Sequence, residues 1–210
     1  MTRKIKVGNV YIGGGAPISV QSMCNTKTAD VENTIKQIIS LRNAGCDIVR
    51  FAVNSATDAA AIKEIKNATD IPLVADIQYD YKLAVASAEN GIDKVRINPG
   101  NIGDERKVRY LADVLKERKI PIRIGVNTGS LEKDLKNLNS ADALVESAKR
   151  HIKILENAGF FDIIVSLKSS DVRTSVAAAR RFSKEFDYPL HLGVTEAGTF
   201  ERGIIKNTAG

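Results

Sequence analysis

The sequence predicts an α/β protein of the TIM-type (β/α)8 barrel class, with a small β-hairpin before the first strand. Short apolar runs rich in β-branched residues recur along the 210 residues, and their first positions lie 21 to 41 residues apart. Polar turns and longer stretches with apolar residues at helical spacing separate them, as in parallel βαβ units. The runs are almost continuously hydrophobic, which is typical of strands buried on both faces.

The hairpin is the first predicted element. Residues 5–12 alternate apolar and polar side chains around Gly8 and Asn9, and a glycine-containing pair in such a setting is typical of a two-residue hairpin turn. A hairpin placed before the first strand of a barrel would close the bottom of that barrel.

Seven strands are predicted to follow the hairpin. They cover residues 18–23, 47–53, 72–77, 93–99, 121–127, 162–168 and 189–195. Three of the intervening stretches carry a clear apolar stripe that predicts a helix packed on the sheet. The stripes are Val31, Ile35, Ile38 and Leu41; Val108, Leu111, Ala112 and Leu115; and Leu144, Ala148, Ile152 and Leu155. Residues 128–140 form the longest gap and predict an extra loop or short helix.

The number of strands bounds the architecture. After the seventh run only residues 196–210 remain, whereas a TIM barrel usually needs about 250 residues. We therefore expect residues 1–210 to form one incomplete barrel domain, truncated after about seven units. An open doubly wound sheet is the alternative, although Gly13-Gly14-Gly15 precedes the first strand and so does not fit a dinucleotide-binding fingerprint.

Composition excludes several function classes. Two cysteines, Cys24 and Cys46, are too few for a disulfide framework or a four-cysteine metal site, so we expect free thiols in a cytoplasmic protein and no metal site. The chain shows no apolar run long enough for a membrane helix and no signal peptide. Its net charge is +6, but aromatic residues make up only 5%, which favours a small anionic ligand over nucleic acid.

Charged residues inside the predicted core strands point to the site. Arg50, Arg96, Arg123 and Lys168 each lie in a strand or at its carboxyl end, where an unpaired buried charge is costly. Because side chains two apart share a strand face, Arg96 shares a face with Asn98, and Arg123 shares a face with Gly125 and Asn127.

The carboxyl end of a TIM barrel carries the active site, and arginine suits phosphate. The sequence therefore predicts a pocket for a ligand with two or more negative charges. Ion pairs with acidic side chains are the structural alternative.

Two carboxylates and two glycine-containing loops lie at the same predicted end. Asp76 lies within the third strand, and Glu196 follows the seventh. Each is either an ion-pair partner or a general acid/base, and Glu196 is the stronger acid/base candidate. The loops at 98–103 and 127–130 follow arginine-bearing strands, where backbone N–H groups can approach an anion. His151 is expected on a helix surface and His191 in a strand core.

Six segments carry a resemblance to a known family. They are VQSM at 20–23, GCDIVR at 45–50, PLVADI at 72–77, VRINPGNIG at 95–103, PIRIGVN at 121–127 and LGVTEAG at 192–198. In this order they resemble 4-hydroxy-3-methylbut-2-enyl diphosphate synthase, of the methylerythritol phosphate route to isoprenoids. The resemblance runs through the whole chain and covers the amino-terminal barrel of that family.

The resemblance implies a substrate, a cofactor and partners. Family members reduce 2-C-methyl-D-erythritol 2,4-cyclodiphosphate by two electrons, using a 4Fe-4S cluster that receives electrons from flavodoxin or ferredoxin, and are usually homodimers. The cluster ligands belong to a carboxyl-terminal domain that we expect to be absent here. The residues that match the family's diphosphate-binding positions are Arg50, Arg96, Asn98, Arg123, Asn127 and Lys168. Asp76 and Glu196 match its active-site carboxylates, with Glu196 as the implied proton donor.

Three positions depart from the family pattern. Position 78 is Gln where His is common, and position 24 is Cys where Thr is common. The third is Asn207, in the segment Ile205-Lys206-Asn207-Thr208 where Lys-Ser-Ser is usual, so a phosphate contact from that segment is not implied. Two other hypotheses stay open: another phosphate-binding TIM-barrel enzyme, such as a pterin-synthase-like transferase, and a basic nucleic-acid-binding module supported only by the net charge.

Overall fold

A parallel sheet of six strands, curled into part of a barrel, organises the chain. The computed structural model describes residues 1–98, 102 and 105–210, with residue 136 described by its backbone alone. The sheet strands are β3 (Gln21–Met23), β4 (Ile48–Ala52), β5 (Leu73–Ile77), β6 (Lys94–Ile97), β7 (Ile122–Asn127) and β8 (Ile163–Lys168). They lie side by side in chain order. The first six predicted runs are therefore confirmed, each one to three residues shorter among the described residues; residue 99 of the fourth run lies outside them.

Helices cover the convex face of the sheet, except the last one, which buries none of its residues. They are α1 (Val31–Asn43), α2 (Ala56–Ala68), α3 (Tyr81–Glu89), α4 (Glu105–Glu117), α5 (Ser140–Asn157), α6 (Val172–Glu185) and α7 (Phe200–Ala209). The predicted stripes of α4 and α5 are buried, and that of α1 is buried or partly buried. The long gap holds two short 3-10 turns, Thr128–Ser130 and Lys133–Asn137. Among the described residues, no helix is both long and apolar enough to cross a membrane.

The predicted hairpin closes the amino-terminal end of the curl. Its strands β1 (Ile5–Val7) and β2 (Val10–Ile12) are antiparallel, and Ile5 pairs with Ile12. Ile5 and Val7 are buried in a cluster whose other buried members come from the starts of three sheet strands. Those members are Ile48, Val74 and Ile164. This apolar cluster, the plug, fills the bottom of the barrel, as the sequence predicts.

The predicted seventh strand is shorter than expected. Within residues 189–195 only Leu190 forms a bridge, in parallel with Val165. The backbone N–H of Val194 instead donates to the side-chain Oδ1 of Asn207 at 2.9 Å. After the bond from His191 N–H to the Val165 carbonyl, the next backbone hydrogen bond from this segment towards β8 runs from Thr195 N–H to the carbonyl of Ser169, beyond the end of β8. The seven-residue strand is therefore wrong in extent, although its place beside β8 is right.

An open seam separates the two ends of the curled sheet. The outer edge of β3 and the outer edge of the segment around Leu190 share no backbone hydrogen bond among the described residues. A cavity of about 560 Å³ lies there. Its lining includes Gln21 on β3, Ile48 on β4, Ile164 and Lys168 on β8, and His191. The seam thus reaches from the plug towards the carboxyl end of the sheet.

Candidate functional site

The predicted site residues of three neighbouring strands meet on the concave face. Asp76, Arg96 and Arg123 are register partners across β5, β6 and β7. Asp76 accepts a hydrogen bond from Arg96 Nη1 at 2.8 Å, and its second oxygen lies 3.6 Å from Arg50 Nε. One buried carboxylate therefore holds two guanidinium groups, and the ion-pair role that the sequence left open for Asp76 is seen here.

Arg123 has no such partner. It is 1% exposed, and its Nε and Nη1 have no hydrogen-bond acceptor among the described residues. Arg96 Nε is likewise buried without an acceptor. Burial, together with Arg50 and Arg96, holds the pKa of Arg123 well below its ordinary value. Unsatisfied buried donors are costly, so these three nitrogen atoms mark a place where an anion would be stabilised.

The carboxyl ends of β7 and β8 add further polar groups. Asn127 pairs in register with Lys168, and Asn98 Nδ2 donates to Ser130 Oγ at 2.9 Å. Burial is the main cause that lowers the pKa of Lys168 to about 7, and the nearby Arg123, Arg50 and Arg96 add to the effect. The structure thus brings Lys168 to the same group of cations as the three arginines. We call this end of the curl the mouth.

Lys168 makes stability depend on pH. Its pKa is about 7 in the folded chain and about 10.4 in an unfolded chain, so between these values the unfolded chain binds more protons. The free energy of unfolding should therefore rise with pH, with a share from Lys168 of up to ~1.4 kcal/mol per pH unit. Urea unfolding between about pH 7 and pH 8 checks this, below the pKa of about 8.5 at which an unfolded cysteine ionises.

The Lys168→Met variant is the control for this slope. We expect the variant to lose the share of the pH dependence that Lys168 contributes. An identical slope in the variant and the unaltered chain would show that the Lys168 amine is not the titrating group.

Gly125 makes room for Arg96. A Cβ at position 125 would lie 2.5 Å from Arg96 Nε and 2.8 Å from its Nη2. Gly125 lies on β7 between Arg123 and Asn127, on the concave face. The sequence showed this glycine on the site face, but only the structure shows that the guanidinium of a neighbouring strand fills its space.

Alanine at position 125 should therefore displace the Arg96 guanidinium from Asp76. Overpacking of this kind typically costs about 1–3 kcal/mol. The Arg96→Lys variant without the Gly125 change provides the comparison, because its shorter head group loosens the same pair without a clash. Chemical unfolding of both variants measures the cost, and a Gly125→Ala chain as stable as the unaltered one would contradict this packing.

Two residues that sequence reasoning did not assign to the site also face it. Lys94 begins β6 and is 1% exposed. Its register partner is Val74, so it lies one inward position below Arg96, towards the plug. His191 follows the bridge residue Leu190 and lines the seam together with Lys168. Burial and the surrounding cations lower the pKa of His191, which keeps the imidazole neutral. Strand parity was the signal for Lys94, since it lies two residues before Arg96.

Glu196 is not brought into contact with the other predicted site residues. It is exposed, its backbone lies in the left-handed region at φ 48°, and its side chain has no hydrogen bond or ion pair among the described contacts. The N–H of the preceding Thr195 donates to the Ser169 carbonyl at 3.2 Å, which holds this loop at the end of β8. A left-handed non-glycine residue is strained and is common at functional sites.

The remaining sequence predictions have mixed outcomes. Residues 99–101 and 103 of the first predicted anion loop lie outside the described residues. The second loop forms the 3-10 turn Thr128–Ser130. The expectation for His151 is wrong: it is 6% exposed, and its Nε2 lies 3.4 Å from Glu132 Oε1. Helical periodicity alone did not show that the 128–137 segment folds over it.

The cysteines do not fit the iron–sulfur cluster that the resemblance implies. Cys24 is buried in the core between sheet and helices, and burial raises the pKa of its thiol to about 11. Cys46 is half-buried, with a raised pKa for the same main reason. Thiolates are the ligands of such clusters. In the described part of the chain, no group of three or more His, Cys, Asp or Glu side chains could hold a metal ion.

The fold and the mouth together define the class of this protein: a TIM-barrel domain whose concave face gathers buried cations around one carboxylate. The family model of the GcpE TIM-barrel domain matches residues 2–210, and the chain belongs to that family. Two curated relatives carry the name 4-hydroxy-3-methylbut-2-en-1-yl diphosphate synthase (flavodoxin). The relative from Caldanaerobacter subterraneus is 54% identical over 213 residues, and that from Clostridium perfringens is 56% identical over 212 residues.

The chain covers only part of these relatives. Both alignments include all of this chain, but only 60% and 61% of the relatives' length. Among solved structures, dihydropteroate synthase from Yersinia pestis matches with a TM-score of 0.72 at 12% identity, over all of this chain and 86% of that one. Type I 3-dehydroquinate dehydratase from Clostridium difficile matches with a TM-score of 0.68 at 15% identity, over 98% and 84%. These distant structures share the fold alone.

Proposed function

We propose that residues 1–210 form the substrate-binding barrel of a 4-hydroxy-3-methylbut-2-enyl diphosphate synthase. In the whole protein this barrel would bind 2-C-methyl-D-erythritol 2,4-cyclodiphosphate. The observation that carries the proposal is the set of buried donors without acceptors, Arg123 Nε and Nη1 and Arg96 Nε. The names of the relatives support the choice of this diphosphate among anionic ligands.

The charge of the site suits a diphosphate. Arg50, Arg96, Arg123 and Lys168 act on one another through the concave space, as their shared effect on the pKa of Lys168 indicates. Asp76 alone opposes them in the described part of this face. A ligand with several negative charges would supply the compensation that the chain lacks, and the low dielectric of the buried mouth strengthens each interaction.

Each side chain has a distinct role in this proposal. Arg123 and Arg96 donate to phosphoryl oxygens through their free N–H groups, while Asp76 fixes the orientation of Arg96. Lys168 and Arg50 bind from the two sides of the curl, and the carboxamides of Asn98 and Asn127 orient the carbon skeleton and its hydroxyls.

The overall reaction opens the cyclic diphosphate and removes a hydroxyl as water, with two electrons supplied. The departing oxygen needs a proton, for which Glu196 at the mouth is our candidate. The 4Fe-4S cluster supplies electrons in the family, and this chain's residues do not fit it, so we place its ligands in the remainder of a longer protein. The electron donor would be flavodoxin, which is part of the relatives' names, or ferredoxin. The proposed assembly of the whole protein is a homodimer.

Isothermal calorimetry with the cyclic diphosphate tests the binding role. We expect heat from the unaltered chain and a loss of affinity of tenfold or more in Lys168→Ala, since a charge-assisted hydrogen bond contributes about 1.5–3 kcal/mol. Lys63→Ala is the matched control, because Lys63 is exposed on α2. Equal affinity of Lys168→Ala and Lys63→Ala would remove the proposed pocket.

Reconstitution tests where the cluster belongs. Incubation of this chain with iron and sulfide should not give the absorption spectrum of a complete 4Fe-4S cluster. A full cluster spectrum on residues 1–210 would contradict the assignment of the ligands to another part of the protein. Turnover of the cyclic diphosphate or of another phosphate ester without any reductant would favour a non-redox transferase instead.

A further inference from the structure

Lys94 is a buried lysine whose amine has one hydrogen-bond partner among the described residues. Its Nζ donates to Gln21 Oε1 at 3.2 Å, and the side chain is 1% exposed. No carboxylate of the described residues lies within ion-pair distance of it. An ammonium group has three donors and no acceptor, so one weak acceptor leaves most of its hydrogen-bonding capacity unused. A neutral amine, with fewer donors, fits this position better.

The surroundings of Lys94 make a positive charge there more costly still. The charged and titratable groups of the concave face are Arg50 on β4, Asp76 on β5, Arg96 on β6, Arg123 on β7, Lys168 on β8 and His191 after the bridge. Of these, Arg123 and Arg50 lower the pKa of Lys94, and Lys94 in turn lowers the pKa of His191. Both oxygens of Asp76 are already engaged by Arg96 and Arg50. Guanidinium groups do not lose their protons in proteins. Excess charge in this group is therefore relieved at the lysines.

We propose that Lys94 is a neutral amine in the ligand-free protein and takes up a proton when a diphosphate anion binds, so that binding at the mouth and protonation at the base of the pocket are coupled. The proposal rests on the anion-binding role described above and adds a positioning residue to it. Lys94 would act through Arg123 and Arg50 rather than through direct contact with the ligand.

The electrostatics give this coupling its sign. Burial lowers the pKa of Lys94 well below its ordinary value, and Arg123 and Arg50 lower it further. An anion among the arginines offsets their repulsion, so the ammonium form becomes more favourable and a proton is taken up from solution. Because linkage is reciprocal, affinity for the anion should fall as the pH rises. His191 stays neutral in the same field, and Lys168, whose pKa is about 7, adds a separate contribution.

Calorimetry with inorganic pyrophosphate on residues 1–210 measures the coupling. Titrations at about pH 8 in two buffers of different ionisation enthalpy give the number of protons taken up, and comparison with Lys94→Met cancels the ionisation of pyrophosphate itself. We expect the unaltered chain to take up about one proton more than Lys94→Met. Lys63→Met, at an exposed position, should match the unaltered chain.

Thermal unfolding without ligand separates this role from a purely structural one. If Lys94 served packing alone, its replacement would lower the midpoint temperature of unfolding. If it is a buried amine with few partners, its replacement by methionine, which is similar in size, should leave that midpoint unchanged or raise it. Nitrogen-15 spectra of the lysine side chains in the unaltered chain, with and without pyrophosphate, follow the same proton directly if Lys94→Met does not fold.

The outcomes distinguish this proposal from the one on which it rests. Pyrophosphate binding with equal proton uptake in the unaltered chain and Lys94→Met would overturn the coupling and leave the anion pocket in place. An absence of pyrophosphate binding to the unaltered chain would overturn the pocket and the coupling together. A Lys94 side chain that is already an ammonium without ligand would also refute the coupling.

Discussion

Asp76→Asn should lower the free energy of unfolding of the ligand-free chain by about 3–5 kcal/mol, the usual cost of removing one partner from a buried ion pair. Asn keeps the shape of the side chain but not its charge. Arg96, now 2.8 Å from a carboxylate oxygen, and Arg50, at 3.6 Å, would then repel each other across a neutral amide. Denaturant unfolding at constant pH and salt measures the change.

Asp70→Asn is the matched control. Asp70 also pairs with an arginine, Arg42, at 2.7 Å, but the pair is exposed, and exposed pairs contribute little. Millimolar pyrophosphate should recover part of the lost stability in Asp76→Asn, because an added anion replaces the missing charge. Equal stability of the two Asn variants would show that the buried carboxylate does not balance the cations.

Arg123→Met should have the opposite effect on stability and a large effect on binding. The guanidinium is 1% exposed and its Nε and Nη1 lack acceptors among the described residues. Methionine replaces the aliphatic stem without the charged head group, so the free energy of unfolding should stay unchanged or rise by up to ~4 kcal/mol. Loss of two charge-assisted hydrogen bonds should reduce affinity for the cyclic diphosphate by roughly 100-fold or more.

Unfolding and calorimetry on the same Arg123→Met preparation show both effects at once. Arg118→Met, at an exposed position of the chain, should change neither quantity. If Arg123→Met were much less stable than Arg118→Met and bound the diphosphate equally well, Arg123 would be a structural residue with a hidden partner rather than a ligand-binding one.

Strand parity explains why so much of the site could be predicted from sequence. In a parallel sheet the side-chain period is fixed by the backbone, so Arg96 and Asn98 had to share a face, as did Arg123 and Asn127. The register pairs Arg96 on β6 with Arg123 on β7, so the two side chains lie next to each other on the same face of the sheet. Apolar runs give the position of each strand, and this one rule then gives the direction of its polar side chains.

Contacts between strands could not be predicted in the same way. In the sequence, Gly125 is only a glycine on the face of the strand that carries the site. The structure shows that Arg96 from the adjacent strand occupies the space that a side chain at position 125 would need. The same is true of His191, whose environment depends on how closely the last segment approaches β8. These are properties of three-dimensional packing, and single-strand patterns contain no information about them.

The length of the predicted seventh strand could not be predicted either, because it depends on which backbone groups lie beside it. Residues 189–195 have the composition of a buried strand, but a ladder forms only where neighbouring backbone groups are available. The Val194 amide finds a side-chain oxygen of Asn207 instead. The composition of a segment indicates its preference for extended backbone. A strand also needs hydrogen bonds to a neighbouring segment, which composition does not show.

The open seam gives a bound anion a mechanical role. In a closed barrel the hydrogen-bond ladder fixes the distance between any two strands, but in this sheet β4 and β8 are connected only the long way round, through β5, β6 and β7. Arg50 and Lys168 reach towards the same space from these two strands. An anion bound by both side chains would link the two ends of the curled sheet and restrict their relative motion. Amide hydrogen exchange in β3 and in residues 189–195 should therefore slow when the anion binds.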